Sequence, residues 1–362
     1  MKQNTIRDVA KLACVSTATV SRVINGNPSV AQEYVTRVNK AISELNFRPN
    51  AAAQQIHQKR TGNVGLILPN TTDPFFGNTA HNIIAAAANY GQNVIITTSQ
   101  SGLSYDESAC YKKMASAAID GLIFCSVAEV NQSELEHYLG DIPLVVCSRH
   151  NLLTGKPHVY FNHRKGGYLA TKHLLELGHN HIALLVGCFG NMFHNVSDLD
   201  KFLENPVLAG PYTGIDKYVG AREALAEKNV PFRPELVEFI DMGDPYRSGY
   251  EAMQRLISKT TKVEAVFCCN DFSASGAIHM LASQNIDVPK MISVIGYDNG
   301  ILATCTQPQL STVIQDTSVL GTECVRSLNA LINNEFCDDT LIDVQLVIRY
   351  SSCYRKTPET PS

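Results

Sequence analysis

The sequence predicts an all-α helix-turn-helix headpiece followed by a large α/β body. Three observations carry this. Apolar residues repeat at helical spacing through the first 47 residues, then gather from residue 64 into short β-rich runs separated by helical stretches. Charge is divided: residues 1–60 hold nine Lys or Arg against three acids, a net +6, while the remainder carries −10 within an overall −4. A length of 362 residues exceeds one simple domain.

The headpiece is read first. Thr5-Ile-Arg-Asp8 has the form of a capping box, with Asp in place of Glu. Val9, Leu12 and Ala13 then form a helical stripe, broken at Cys14-Val15. Ser16-Thr17-Ala18-Thr19 restarts a helix with Val20, Val23 and Ile24 inward, and Asn25-Gly26-Asn27-Pro28 ends it. A third helix carries Val35, Val38, Ile42 and Leu45 and stops at Arg48-Pro49.

In the body, strands are expected at Val64–Leu68, Val94–Thr98, Gly121–Cys125, Leu144–Cys147, Ile182–Val186, Val237–Asp241, Ala265–Cys269 and Ser293–Tyr297. Helices are expected at Thr79–Asn89, Ser108–Ala118, Tyr168–Leu177, Lys217–Lys228, Tyr250–Ser258 and Ala274–Gln284. Buried strands interleaved with helices imply parallel sheets joined by right-handed crossovers, in one large sheet or two lobes. The tail after Tyr354 reads as disordered.

Composition limits the function classes. Eleven cysteines, most of them inside apolar runs and none in Cys-x-x-Cys spacing, suit free thiols in a reducing cytosol. The start lacks the apolar region of a secretory signal, and no run of about 18 apolar residues exists to span a membrane. Gly-x-Ser-x-Gly elbows, Walker loops, Gly-x-Gly-x-x-Gly turns after a strand and metal-ligand clusters are missing, which argues against an enzyme, a metal site or a cofactor.

Two short helices joined by a tight turn suit DNA, because the second can enter the major groove. Thr17, Ala18 and Arg22 would then face base edges: Arg can bond bidentately to guanine, while Ala and the Thr methyl can touch a thymine methyl. Ser16, Thr19, Ser21 and Asn25, with Thr5, are placed for phosphates or capping. The pattern alone equally fits a plain three-helix packing module.

The wording of the segment decides between them. Thr5-Ile-Arg-Asp-Val-Ala-Lys-Leu-Ala13, Val15-Ser-Thr-Ala-Thr-Val-Ser-Arg-Val-Ile-Asn25 and Leu45-Asn-Phe-Arg-Pro-Asn50, at these spacings, closely resemble the lactose/galactose repressor family. Cys14 departs from the Gly or other small residue usual there. Asn50-Ala-Ala-Ala-Gln-Gln-Ile56 resembles the family's hinge helix; the resemblance puts Asn50 among the DNA contacts and implies that Ala53 and Ile56 meet the minor groove, with Ile in place of the usual Leu.

Across the body, Asn70-Thr-Thr-Asp-Pro-Phe-Phe76, Leu177-Gly-His-Asn-His-Ile-Ala183, Cys269-Asn-Asp-Phe-Ser-Ala-Ser-Gly276, Val288-Pro289, Ser293-Val-Ile-Gly-Tyr-Asp-Asn299 and Pro308-Gln-Leu-Ser-Thr-Val-Ile-Gln-Asp316 resemble the family's core domain. The resemblance implies an α/β periplasmic-binding-protein-like core of two doubly wound parallel-sheet lobes, with the ligand between them at strand ends. The expected division is 1–48 headpiece, 49–61 hinge helix and linker, 62–354 effector-binding core and 355–362 tail. Within the core, lobes of about 62–161 plus 293–322, and 162–292 plus 323–354, are expected.

Polar residues at strand ends are the effector candidates. Asp298 and Asn270 suit vicinal hydroxyls, Phe75 and Phe272 suit stacking, and Arg149 suits a hydroxyl, carboxylate or phosphate. Asp73 and Gln315 are further candidates, and Lys217 stands where the family usually has Arg. Each Asn or Asp has capping or turn formation as its plainer alternative. The segment Gly190–Tyr212, longer than usual, either reshapes the cleft mouth or is a surface insertion. The implied function is a repressor of a carbohydrate-utilisation operon: a homodimer on near-palindromic operator DNA, controlled by a sugar or sugar phosphate. A purine or other non-sugar corepressor is the alternative effector.

Overall fold

The computed structural model describes residues 4–24, 27–47, 60–101, 104–127, 130–188, 193, 195–204, 212–259 and 262–355. The chain divides into two compact units, Met1–Thr61 and Gly62–Ser362.

The first unit is helical: α1 (Ile6–Ala13), α2 (Thr17–Ile24) and α3 (Gln32–Glu44). The Thr5 N–H and hydroxyl both donate to the Asp8 carboxylate, at 2.8 and 2.7 Å, so the shorter acid still closes the start of α1. Val9, Ala10, Ala13, Val20, Val38 and Ala41 form the core. Leu12, expected inward, is 46% exposed; Ala10 takes its place at the crossing. The turn between α1 and α2 rests on Cys14, which has φ 52° and ψ 47° and whose carbonyl accepts from Arg37 Nη2 at 3.1 Å. The residue following a helix often adopts this left-handed conformation, which suits glycine.

The second unit holds two six-stranded sheets. Along the chain the strands are β1 (Asn63–Leu68), β2 (Asn93–Thr98), the ribbon β3 (Gln100–Ser101) and β4 (Ser104–Tyr105), β5 (Gly121–Phe124), β6 (Leu144–Cys147), β7 (His158–Phe161), β8 (Ile182–Cys188), β9 (Val237–Asp241), β10 (Ala265–Cys268), β11 (Ser293–Asp298), β12 (Ser311–Ile314), β13 (Thr340–Ile342) and β14 (Gln345–Val347). The first sheet runs β13-β7-β6-β5-β1-β2 and is wholly parallel. The second runs β14-β12-β11-β10-β8-β9 and is parallel except for the antiparallel edge strand β14. The central strands are continuous buried apolar runs, as sheets covered on both faces require.

The helices are α4 (Pro74–Ala88), α5 (Glu107–Ser116), α6 (Gln132–Leu139), α7 (His163–Glu176), α8 (Val196–Leu203), α9 (Thr213–Glu227), α10 (Pro245–Lys259), α11 (Asp271–Ser283), α12 (Ile301–Cys305) and α13 (Thr317–Ile332). Helix α13 lies on α4 and the first sheet; α7 packs on α9, and α10 on α11, over the second.

The two-lobe architecture holds, but the expected boundary within it does not. Strands β11 and β12 hydrogen-bond into the second sheet, so residues 293–314 belong to the second lobe. Helix α13 and strand β13 return to the first lobe, and β14 pairs with β12 in the second. The chain therefore crosses between lobes three times among the described residues: at 161–163, 314–317 and 342–345. All eleven cysteines are free thiols. No helix among the described residues is long and apolar enough to cross a membrane.

The left-handed turn at Cys14 generates a prediction. Cys14→Gly removes the Cβ clash and is expected to stabilise the first unit by about 0.5–1 kcal/mol, after the extra chain entropy of glycine is subtracted. Native-state hydrogen exchange of the α1–α3 amides in the full chain measures this; unchanged or faster exchange counts against the assigned strain.

Candidate DNA-reading helix and interlobe cleft

The described DNA-facing candidates lie on α2 and at the starts of α1 and α2. Ser16 caps α2, its hydroxyl accepting from the Thr19 N–H at 3.1 Å. Thr17, Ala18 and Arg22 are exposed on α2, while Thr19 and Ser21 are half-buried. Thr5 is exposed at the start of α1. Asn25, Asn50, Ala53 and Ile56 lie outside the described residues.

In the second unit, the C-terminal ends of β1, β5 and β6 face those of β8, β10 and β11 across a cleft of about 130 Å³. Seven of the eight effector candidates line it: Asp73, Phe75, Arg149, Lys217, Asn270, Asp298 and Gln315. Phe272 does not. It lines a neighbouring pocket of about 180 Å³ that shares Asp73, Phe75, Asp298 and Gln315. Phe75 packs edge-on to Phe76 and Phe161, with ring centroids 5.3 and 6.4 Å apart, and lines that neighbouring pocket together with Phe272.

The second-lobe wall is organised around a buried ammonium. Lys217 is 7% exposed; its Nζ donates to the Cys269 carbonyl at 2.8 Å and sits 3.7 Å from the centroid of the Tyr297 ring. Burial lowers its proton affinity, and the charge of Asp298 opposes that. Asp298 is held at φ 106° and accepts from Gln315 Nε2 at 2.6 Å. Burial pushes its carboxyl well above the ordinary range, while Lys217 pulls it back. Glycines make this possible. A Cβ on Gly167 would stand 1.9 Å from the Lys217 carbonyl oxygen, one on Gly220 1.8 Å from that of Arg164, and one on Gly166 2.2 Å from the Tyr297 hydroxyl. Only bare backbone lets α7 and α9 approach this closely.

Asn270 and Asp73 do two jobs. Asn270 accepts from the Ser273 N–H at 2.8 Å to cap α11, and Asp73 accepts from the Phe75 N–H at 2.8 Å to cap α4. Each also lines the cleft, so capping a helix does not take either residue out of the cleft wall. Burial raises the Asp73 carboxyl. Asp271 is 2% exposed behind this wall; it accepts from the Thr312 hydroxyl at 2.6 Å and the Gly300 N–H at 2.8 Å, and burial pushes it up to about 6.

On the first-lobe wall, Arg149 Nη1 donates to the Ser126 carbonyl at 3.1 Å. Its guanidinium lies 5.4 Å from the centroid of the Tyr212 ring, which belongs to the other lobe. His150 and Asp216 add a second interlobe contact at 2.8 Å. Glu107 accepts from the Tyr111 hydroxyl at 3.0 Å and from the Ser126 hydroxyl. Burial raises its carboxyl, against the pull of those bonds and of Arg149.

Many of the lining residues were not anticipated from the sequence, His163, Phe193 and Tyr212 among them. His163 lines the cleft at the start of α7, directly after a strand that was not recognised. Phe193 and Tyr212, from the described part of the long 190–212 segment, also line it. The Phe193–Phe202–Tyr212 ring contacts, at 5.3 and 5.7 Å, were readable only as a surplus of aromatics there. No group of three His, Cys, Asp or Glu among the described residues is placed to hold a metal ion.

Comparison with known proteins agrees with this geometry. Residues 5–50 match the model of bacterial regulatory proteins of the lacI family. Residues 61–189 match periplasmic binding proteins and the sugar binding domain of the LacI family, and residues 171–352 match a periplasmic binding protein-like domain. The chain is 32% identical over 343 residues to catabolite control protein A of Priestia megaterium, covering 94% of this chain and 96% of that protein. It is 31% identical over 352 residues to the HTH-type transcriptional repressor PurR of Histophilus somni (strain 2336), covering 96% and 98%. The crystal structure of the lac repressor dimer bound to operator and the anti-inducer ONPF superposes with a TM-score of 0.78 at 25% identity, covering 97% of this chain and 100% of that one.

Asp271 offers a clean pH test. Its folded carboxyl binds a proton more tightly than the unfolded one, so its contribution to stability is complete well below pH 3.8 and is lost as pH rises through about 6. From the wild type minus Asp271→Asn difference in urea unfolding, the wild type is expected to lose about 2 kcal/mol relative to the variant between pH 3.8 and 6, and more above it. A pH-independent difference contradicts the assignment.

Proposed function

The chain belongs to the LacI family of bacterial regulatory proteins, and on that premise we propose that it represses a carbohydrate-utilisation operon, acting in the cytoplasm as a homodimer on near-palindromic operator DNA. Its effector in this reading is a small sugar or sugar phosphate held between the two lobes. The family is one of transcription regulators, not enzymes.

The observation that carries the effector reading is the Asp298 turn. A carboxylate fixed by Gln315, with Asn270 at the next strand end and Arg149 on the opposite wall, offers acceptors and donors in the pattern that vicinal hydroxyls need. The family description of residues 61–189 as a sugar binding domain supports the same class. A flat purine corepressor, the second reading, draws support from Phe76, Phe193 and Tyr212 on the cleft walls. Phe75 and Phe272 line the adjoining pocket together.

The mechanism follows from the connectivity. Three crossovers permit the lobes to rotate, and a ligand touching both walls favours one angle. In a dimer on DNA, that angle sets the spacing of the first lobes and of the segments leading to the headpieces. Coupling of this kind is reciprocal: operator must change effector affinity by the factor by which effector changes operator affinity.

Two expectations test the proposal. With an operator obtained by in vitro selection, Arg22→Ala should flatten base preference at one position by about 1–3 kcal/mol while leaving non-specific binding nearly intact. An unchanged selected consensus removes Arg22 from base reading. In a dye-based melt, a sugar or sugar phosphate at about 100 times its dissociation constant should add roughly 2.7 kcal/mol of stability. The same compound should change operator affinity measured by anisotropy. A response to nucleobases alone selects the second reading; a stabilising ligand without effect on operator affinity overturns the allosteric scheme.

A further inference from the structure

Among the described residues Lys217 is the one buried lysine; the others are exposed or half-buried. It keeps 7% of its surface exposed and lines the interlobe cleft. A lysine held in a poorly hydrated wall is more than a fixed charge. Burial disfavours the ammonium and raises the share of free amine, which is a nucleophile toward carbonyl carbon. The Arg usual in the family at this position lacks that chemistry, because a guanidinium does not give up its proton in a protein.

The surroundings suit one reaction. Burial weakens the hold of Lys217 on its proton; Asp298 at the end of β11, the Cys269 thiol after β10, Asp271 at the start of α11 and Asp216 on α9 oppose that. His163 on α7 feels the lysine charge in turn. Asp298, which also lines the cleft, has its own carboxyl pushed well above the ordinary range by burial, so it can hold a proton that the lysine gives up. Lys217 Nζ donates to the Cys269 carbonyl at 2.8 Å and lies 3.7 Å from the centroid of the Tyr297 ring. Both contacts serve a protonated imine as well as an ammonium: one N–H remains for the carbonyl, and the cation stays against the ring. A wall that answers a positive charge therefore keeps that charge when the amine condenses with an aldehyde.

We infer that Lys217 captures a small aldehyde in the cleft as a protonated imine, the open-chain form of a sugar or sugar phosphate being the class of compound that supplies one. Asp298 takes one proton from the ammonium, and the freed nitrogen pair closes on the carbonyl carbon, whose π pair moves to oxygen. A proton passes from the nitrogen to that oxygen, giving a carbinolamine. Its hydroxyl leaves as water with the proton that Asp298 holds, and the nitrogen pair closes the C=N bond. Ammonium and aldehyde thus give protonated imine and water, with no change in charge and no oxidant or reductant. This rests on the reading of the cleft as the effector site and adds a reversible covalent bond to it.

The test exposes the full chain, near neutral pH, to limiting D-glyceraldehyde or its 3-phosphate together with cyanoborohydride, which reduces an imine to a stable amine. Peptide mass mapping then gives the labelling rate of each lysine. Lys217 should label about tenfold or more faster than the exposed Lys165, Lys259 and Lys290, on which free amine is scarcer. That preference should vanish in the urea-unfolded chain, and Lys217→Arg, which keeps the charge, should lose the fast site. Should the variant not fold, the wild-type rates decide alone. Labelling of Lys217 no faster than that of the exposed lysines, or a preference that survives unfolding, overturns the capture and leaves the effector reading to its own melt and anisotropy tests. Operator anisotropy of the trapped chain separates the two in the other direction: fast labelling at Lys217 with unchanged operator affinity upholds the capture and removes the effector role of the cleft.

Discussion

A single buried ammonium shapes the cleft-facing half of the second lobe. A charge taken out of water must be answered by nearby dipoles and opposite charge, and removing one partner of such a group typically destabilises by about 3–5 kcal/mol. Lys217 is answered by the Cys269 carbonyl, the Tyr297 face and Asp298. Each answer fixes another part: the carbonyl precedes the Asn270 cap, the ring holds His163, and Asp298 holds Gln315. A lysine suits this arrangement better than a guanidinium fork, because its three hydrogens radiate from one point. The glycines of α7 and α9 are the steric condition, since any side chain at Gly167 or Gly220 would lever the lysine away from its partners.

Economy of this kind recurs. Asn270 and Asp73 each use a side-chain oxygen to end a helix and still present themselves to the cleft. Sites at the carboxyl ends of parallel strands favour such double use, because a strand end and the next helix start are the same few residues. Rigidity is the gain: a capped residue has its rotamer set before any ligand arrives.

Much of this was legible in the residues. Helices α1 to α3 declared themselves by apolar spacing and caps, and eight strands by continuous apolar runs long enough to be read alone. Strands β7, β12, β13 and β14 were not legible: each is three or four residues and includes a polar one, unlike the equally short but unbroken apolar runs of β5, β6 and β10, and their identity comes from neighbours far along the chain. The lobe boundary failed for the same reason, since β11 looks alike whichever sheet it joins. Asp298 and Asn270 were found because they follow readable strands; His163 escaped because β7 did. Leu12 shows the limit of periodicity, for a short helix has more apolar residues than its partners can cover.

The interleaving of the lobes also bears on how the protein is made. The first sheet has five of its strands by Phe161, but its edge strand β13 begins at Thr340, and α13, which covers it, starts at Thr317. At bacterial-type synthesis rates of about 5–20 residues per second, that leaves an incomplete sheet waiting roughly ten to forty seconds for its own last pieces. Meanwhile the ribosome delivers most of the other lobe. A nascent chain in that interval exposes an apolar sheet face and an open edge, the features that chaperones bind and that aggregates grow from. The interleaving that makes both lobes wall one cleft therefore makes neither of them an independent product of translation.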